Sequence, residues 1–249
     1  MKIKFLGTSA GWPLPRLGCQ DKICVSTDPK DTRTRSQALV NDKLLLDIGP
    51  DTYQHLKTPG VDPIKIKYAA ISHEHPDHVF GLWDAGHIYN SEKIKVILNE
   101  ETYRKIKHLF FYKEYEIQIL KGGQKITLDE LELSLLRVNH TTSSFGVLVK
   151  EKAKSLFWSP DFKTLPSATE DKLSGVDLVA MDGSELNIKT RNHQTIEEGI
   201  SLGKKIKAKN TYFTHLGHRV SPHRELEKYV QKRGGANFQV AYNGQEVQI

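Results

Sequence analysis

The stretch "ISHEHPDHVFGL", residues Ile71–Leu82, sets three histidines, a glutamate, a proline and an aspartate in the six positions from His73 to His78, between two apolar flanks. Packing gives no reason to gather so many polar groups at the end of a buried strand, so the run calls for a ligand. A divalent ion draws imidazole and carboxylate donors to about 2.0–2.2 Å, and His-x-His across a tight turn supplies two of them. His73 and His75 have that spacing. Asp77 and His78 fall further round the turn, with Pro76 stiffening the backbone, and face a second ion in the manner of a two-metal hydrolytic site. The preceding "IKYAAIS" reads as a buried strand, and Val79 to Tyr89 has helical spacing. The run therefore stands where a strand hands over to a helix, a place where strand ends hold side chains rigidly and free amides point outward.

Outward from there, "MKIKFLG" and "QALVNDKLLLDIGPD" have the apolar runs and bounding turns of strands, and "GTSAGWPLPRLGCQDK" reads as an irregular loop between them. A strand "KIKVILN" and a helix "EETYRKIKHLFF" follow, and "YEIQILKGGQKITLDELELSLLRVNH" reads as antiparallel strands that stop at His140. "GVLVKEKAKSLFWSPD" is a hairpin closing at Asp161, "VDLVAMDGS" a strand closing at Asp182, and "NTYFTHLGH" a strand closing at His215. Strand ends thus repeatedly present His or Asp. "QTIEEGISLGKKI" and "HRELEKYVQKRG" read as helices. The apolar stripe Leu109, Phe110 and Phe111 suits core packing, or a lid or homodimer surface. Lone histidines such as His55, His87 and His108 read as surface or packing residues.

A chain of 249 residues reads as one α/β domain spanning residues 1–249. Hydrophobic content of 38% beside 27% charged residues fits a globular protein, and the absence of a long apolar run or leader-like start points to the cytoplasm, with no membrane partner. Thirty-six Lys and Arg against 30 Asp and Glu give +6, which favours anionic substrates without choosing between small molecules and nucleic acid. The two cysteines, Cys19 and Cys24, exclude a disulfide framework.

"SHEHPDH" resembles the H-x-H-x-D-H motif of the metallo-β-lactamase superfamily, and the later strand-end residues fall in that superfamily's order of His, Asp and His. The resemblance spans almost the whole chain. It implies the αββα sandwich, two mixed sheets back to back with helices outside. It implies that His73, His75 and His140 hold one metal, that Asp77, His78 and His215 hold another, and that Asp161 bridges them. By the same resemblance Asp47, in "LLLDIGPD", orients the loop without binding metal.

Within the superfamily the chain is most similar to the PhnP-like phosphodiesterases of phosphonate breakdown, which open 5-phosphoribosyl 1,2-cyclic phosphate. "VNHTTSSFGVLV", "RNH" at Arg191–His193 and "THLGH" carry that likeness. The likeness implies a small anionic phosphodiester substrate, opened by a hydroxide that two divalent ions, Zn²⁺ or Mn²⁺, activate. Asp77 and His193 take the catalytic roles, with His193 as general acid or phosphate contact, and Ser143 and Ser144 are candidates for phosphate oxygens. That branch also carries a structural zinc on three loop cysteines and a histidine. Here Cys19, Asp21, Cys24 and His218 stand at those offsets, so the middle cysteine is an aspartate.

Two alternatives share the motif. A ribonuclease Z-like enzyme processing tRNA 3′ ends suits the basic charge, but no segment resembles that branch's Gly/Pro-rich basic arm. A non-hydrolytic relative such as the cofactor-biosynthesis protein PqqB has an altered metal motif, whereas all of the expected ligands are present here. Thioester hydrolysis of the glyoxalase kind is a further alternative, without an obvious basic cluster for glutathione near the C-terminus.

Overall fold

Leu44, Leu45 and Leu46 form one short strand, β3 (Leu44–Leu46), yet face two different cores: Leu44 and Leu46 join the central cluster, Leu45 an outer one. A strand covered on both faces needs a continuous apolar run rather than an alternating one. The computed structural model describes residues 1–89, 92–110, 115–141 and 143–249.

Two seven-stranded sheets lie back to back. The first contains β1 (Lys2–Gly7), β2 (Gln37–Val40), β3, β4 (Tyr68–Ala70), β5 (Lys95–Leu98) and β6 (Glu116–Ile119), with β14 (Glu246–Gln248) beside β1. The second runs through β7 (Lys125–Leu128), β8 (Leu131–Arg137), β9 (Phe145–Glu151), β10 (Lys154–Ser159), β11 (Leu178–Asp182), β12 (Asn210–Thr214) and β13 (Phe238–Val240). Each sheet reads alike from one edge, antiparallel as far as β3 or β10 and parallel from there on.

Phe5, Leu46, Val147 and Trp158 are among the residues filling the seam between the sheets. Outside the first sheet, Leu45 and Val96 pack with Leu82 of α3 (Leu82–Ala85) and Ile106 of α4 (Glu100–Ile106). Outside the second, Phe157, Met181 and Phe213 pack with Ile200 of α6 (Ile196–Lys205) and Leu226 of α7 (His223–Gly234). The architecture is the expected αββα sandwich. Thr195 and Glu198 close a reciprocal capping box at the start of α6, which accounts for the abrupt helix onset after "NHQ".

Two local expectations need correction. β6 does not pair with β7; it joins β5 in parallel, and the Gly122–Gly123 turn carries the chain from one sheet to the other. Glycine at 123, with φ +78, permits that turn. The helix expected from Val79 to Tyr89 is two short pieces, α2 (Pro76–Val79) and α3, because the backbone between them bonds elsewhere: Gly81 N donates to Ile48 O at 2.9 Å. A Cβ at Gly81 would stand 2.0 Å from Gly49 O, so only glycine allows that approach.

Leu109 and Phe110 pack against the outer core of the first sheet, as core residues do, and Phe111 lies outside the described residues. His55 is buried, whereas His87 and His108 are exposed.

Candidate metal centre

The loop after β4 delivers the first donors. Ile71 N still bonds Ile97 O in the ladder at 2.9 Å, the chain then runs extended to His75, and Pro76 opens α2 with Asp77 and His78 inside it. His73 Nε2 lies 2.9 Å from His75 Nδ1, and His140 Nε2, from the loop after β8, lies 3.2 Å from the same atom. Beside them, His78 Nε2 and His215 Nε2 approach Asp77 Oδ2 at 3.2 and 3.4 Å.

Asp161, two residues beyond β10, stands between the groups. Its Oδ2 is 3.1 Å from His140 Nε2, 3.5 Å from His73 Nε2, 3.8 Å from His215 Nε2 and 3.9 Å from both His75 Nδ1 and His78 Nε2. A tetrahedral ion with donors at 2.0–2.2 Å spaces them about 3.3–3.6 Å apart, and the separations of 3.1 to 3.9 Å around Asp161 Oδ2 bracket that spacing. Buried His78 Nε2, aimed at Asp77 and Asp161, has no hydrogen-bond partner. Such an orphan is costly unless something else meets it, and the donor set fits metal binding.

The other ring nitrogens of His140 and His78 are fixed. His140 Nδ1 donates to Asn192 O at 2.9 Å, which frees the Nε2 lone pair, and His78 Nδ1 lies 3.0 Å from Asp47 Oδ2. Asp47 is fully buried at the end of β3 with φ 61, and it also accepts from Ser72 N at 2.8 Å and Trp158 Nε1 at 2.9 Å. Burial raises its pKa, yet the His78 charge and these bonds hold it below the usual carboxylate range. Burial and neighbouring His78 push His73 down to about 4, so it is a neutral donor. Asp161 is held well below the usual range despite burial, by His215 and by bonds from His140, His193 and His73.

His193 stands over the cleft. Its Nδ1 is 2.9 Å from both Asp182 Oδ2 and Asp161 Oδ1, and its N–H is aligned on Asp182. Burial lowers its pKa, but the two carboxylates outweigh burial and raise it to about 11. Asp182 was legible only as one more strand-end aspartate, with nothing to tie it to His193. It is fully buried, and its carboxylate also accepts from Ser184 N at 2.8 Å and Phe162 N at 3.2 Å.

Ser143 and Ser144 are not available to a phosphate. Both are fully buried; the Ser143 hydroxyl donates to Glu74, and Ser144 Oγ accepts from Thr141 N at 3.1 Å. Lys105 Nζ donates to Glu74 Oε1 at 2.5 Å and to Ser143 Oγ at 3.0 Å, so this knot ties α4 to both histidine-bearing loops.

Cys19 and Asp21 of the 7–22 loop converge with His218 from the segment after β12, with Cys19 Sγ 3.3 Å from Asp21 Oδ2 and His218 Nδ1 2.6 Å from that oxygen. Cys24 is buried against the core and does not join this set of mutually close donors. On the other side of the ring, Arg16 Nη1 lies 3.1 Å from His218 Nε2. A guanidinium can only donate, so Nε2 accepts and Nδ1 carries the proton towards Asp21.

Residues 42–216 match the profile of the beta-lactamase superfamily domain. A solved diphosphatase from the PhnP family superposes with a TM-score of 0.88 at 28% identity, covering 100% of this chain and 97% of that one. A protein named octanoyltransferase from Porphyromonas gingivalis is 25% identical over 240 residues, 90% of this chain and 48% of its own length. Ribonuclease Z from Lactobacillus johnsonii is 28% identical over 166 residues, 62% of this chain and 50% of its own. The chain therefore spans about half the length of these curated relatives. No helix among the described residues is long and apolar enough to cross a membrane.

Proposed function

The chain belongs to the beta-lactamase superfamily, as a metal-binding hydrolase close to its PhnP-like members, and on that premise we propose that it is a dinuclear phosphodiesterase acting on a small anionic phosphodiester. A cyclic ester such as 5-phosphoribosyl 1,2-cyclic phosphate is the representative substrate. The observation that carries this reading is the placement of Asp161 Oδ2 within 3.9 Å of five imidazole nitrogens drawn from both clusters. In this reading His73, His75 and His140 hold one divalent ion, Asp77, His78 and His215 hold the other, and Asp161 serves both.

When bound, two such ions lower the pKa of a water towards neutrality and offset charge growing on the phosphoryl oxygens; the donors suit Zn²⁺ or Mn²⁺. The chain's own side chains do the rest. Asp47 holds His78 in the tautomer that turns Nε2 to the ion. His193, its Nδ1 occupied by Asp182, keeps Nε2 for the substrate and gives a proton to the leaving alkoxide or contacts a phosphate oxygen.

The 28% identity and TM-score of 0.88 shared with the PhnP-family diphosphatase over 97% of its length support a small substrate. The test is hydrolysis by Mn²⁺- or Zn²⁺-loaded protein of bis(p-nitrophenyl) phosphate, 2′,3′-cyclic nucleotides, a ribose 1,2-cyclic phosphate, precursor tRNA and S-lactoylglutathione. Cleavage of the small diesters, abolished by Asp77→Ala, is expected. Turnover of precursor tRNA alone would transfer the chain to the nuclease branch, and turnover of the thioester alone would remove it from phosphoryl chemistry.

A further inference from the structure

Gly11 and Trp12 belong to the loop that roofs the centre. A Cβ on Gly11 would lie 3.5 Å from Asp77 Oδ2, so Trp12 is one residue removed from a proposed ligand of the second ion. Its indole is nonetheless 47% exposed, which is unusual for a side chain whose burial is worth so much. It borders two hollows at once: the cleft of about 270 Å³ over Asp77, Asp161 and His193, and a neighbouring one of about 420 Å³ walled by Pro13, Pro15 and Leu17.

The Arg16 guanidinium sits over the indole, 4.4 Å from the ring centroid, and is steadied by His218. Among the described residues Arg16 makes no ion pair, unlike Arg35, which pairs with Asp51 at 3.1 Å, or Arg219, which pairs with Glu185. Beside the centre there is thus an open aromatic face, a free cation fixed next to it, and apolar walls.

We infer that this corner is a base-binding subsite: the part of the substrate that does not react ends in a planar aromatic ring, a nucleobase, which stacks on Trp12 while Arg16 meets a phosphate oxygen. Stacking on an exposed aromatic accepts any base, and an unpaired guanidinium recognises phosphate, so a nucleotide meets both features at once. The inference rests on the phosphodiesterase reading for its reacting end. It narrows the substrate class to nucleotide-bearing esters.

The test is calorimetric binding of AMP and of ribose 5-phosphate to the metal-loaded full chain, a pair that differs only in the base and needs no turnover. AMP is expected to bind about tenfold more tightly; Trp12→Ala should bring AMP down to the affinity of ribose 5-phosphate, and Trp12→Phe should restore part of the gap. Equal affinities in the wild type, or a gap that survives in Trp12→Ala, would overturn the subsite. Because no hydrolysis is read, a failure of the catalytic proposal shows up separately, in the diester panel.

Discussion

Trp158 of β10 reaches through the seam between the sheets to donate its indole N–H to Asp47 Oδ2 at 2.9 Å, on the carboxylate that also holds His78. Two sheets thereby cooperate in aiming one imidazole. Trp158→Phe keeps most of the buried volume and removes this donor. It should destabilise the fold by about 1.5–3 kcal/mol and weaken metal binding about 10–100-fold. Thermal unfolding and a chelator competition on the same samples check both halves; a loss of stability with unchanged metal affinity would detach Asp47 from the centre.

His193 and Asp182 should separate by their pH profiles. His193→Ala is expected to cut turnover by about 10²–10⁴-fold with both ions retained. Asp182→Asn leaves the acid in place but removes a charge that raises its pKa. A proton donor loses activity as pH rises through its pKa, so the alkaline limb of the rate profile should move to lower pH in Asp182→Asn. A uniform drop with no movement of that limb would make Asp182 a packing residue.

His55 links an ordinary-looking histidine to acid stability. Its Nδ1 donates to Gln37 Oε1 at 2.5 Å and its Nε2 accepts from Thr34 at 2.6 Å, a pairing that suits the neutral ring, and burial lowers its pKa from 6.5 to about 4. Between those values the unfolded chain binds a proton that the folded chain does not, so stability rises with pH across that window and falls on acidification. The slope is up to about 1.4 kcal/mol per pH unit. Denaturant titrations in chelator from pH 4 to 7 should show a shallower acid limb for His55→Gln, while an identical limb would show that the ring titrates normally.

The Cys19, Asp21 and His218 trio should behave as a weak metal site beside two tight ones. Binding at His218 Nδ1 requires the proton to move to Nε2, which costs the Arg16 contact, and Cys24, which touches Cys19, is not among the three mutually close donors. Zinc titration should therefore give a third, weaker equivalent, lost in Cys19→Ser and tightened in Arg16→Gln. A third equivalent indifferent to both changes would place it elsewhere.

Much of this was legible from spacing alone. His73 to His78 declares itself because packing has no use for such a run, and the two-faced burial of Leu44–Leu46 is written in three consecutive leucines. What escaped depends on tertiary proximity. The partnership of Asp182 with His193 spans 11 positions and has no periodicity to betray it. Ser143 and Ser144 sit beside His140 in sequence, yet burial and the Glu74 knot decide where their hydroxyls turn. Glycines in "KGGQ" signal a reversal, but not whether the chain returns to the same sheet or leaves it.

His73, His75, Asp77 and His78 belong to the first sheet's half of the sandwich, while His140, Asp161 and His215 belong to the second. The centre therefore works as a vernier between two plates. A slip of a few tenths of an ångström, too small to disturb the greasy seam between them, misaligns the Asp161 mark against His73, His75 and His78 at once. Substitutions deep in that seam should thus announce themselves as altered metal affinity well before they register as a loss of fold.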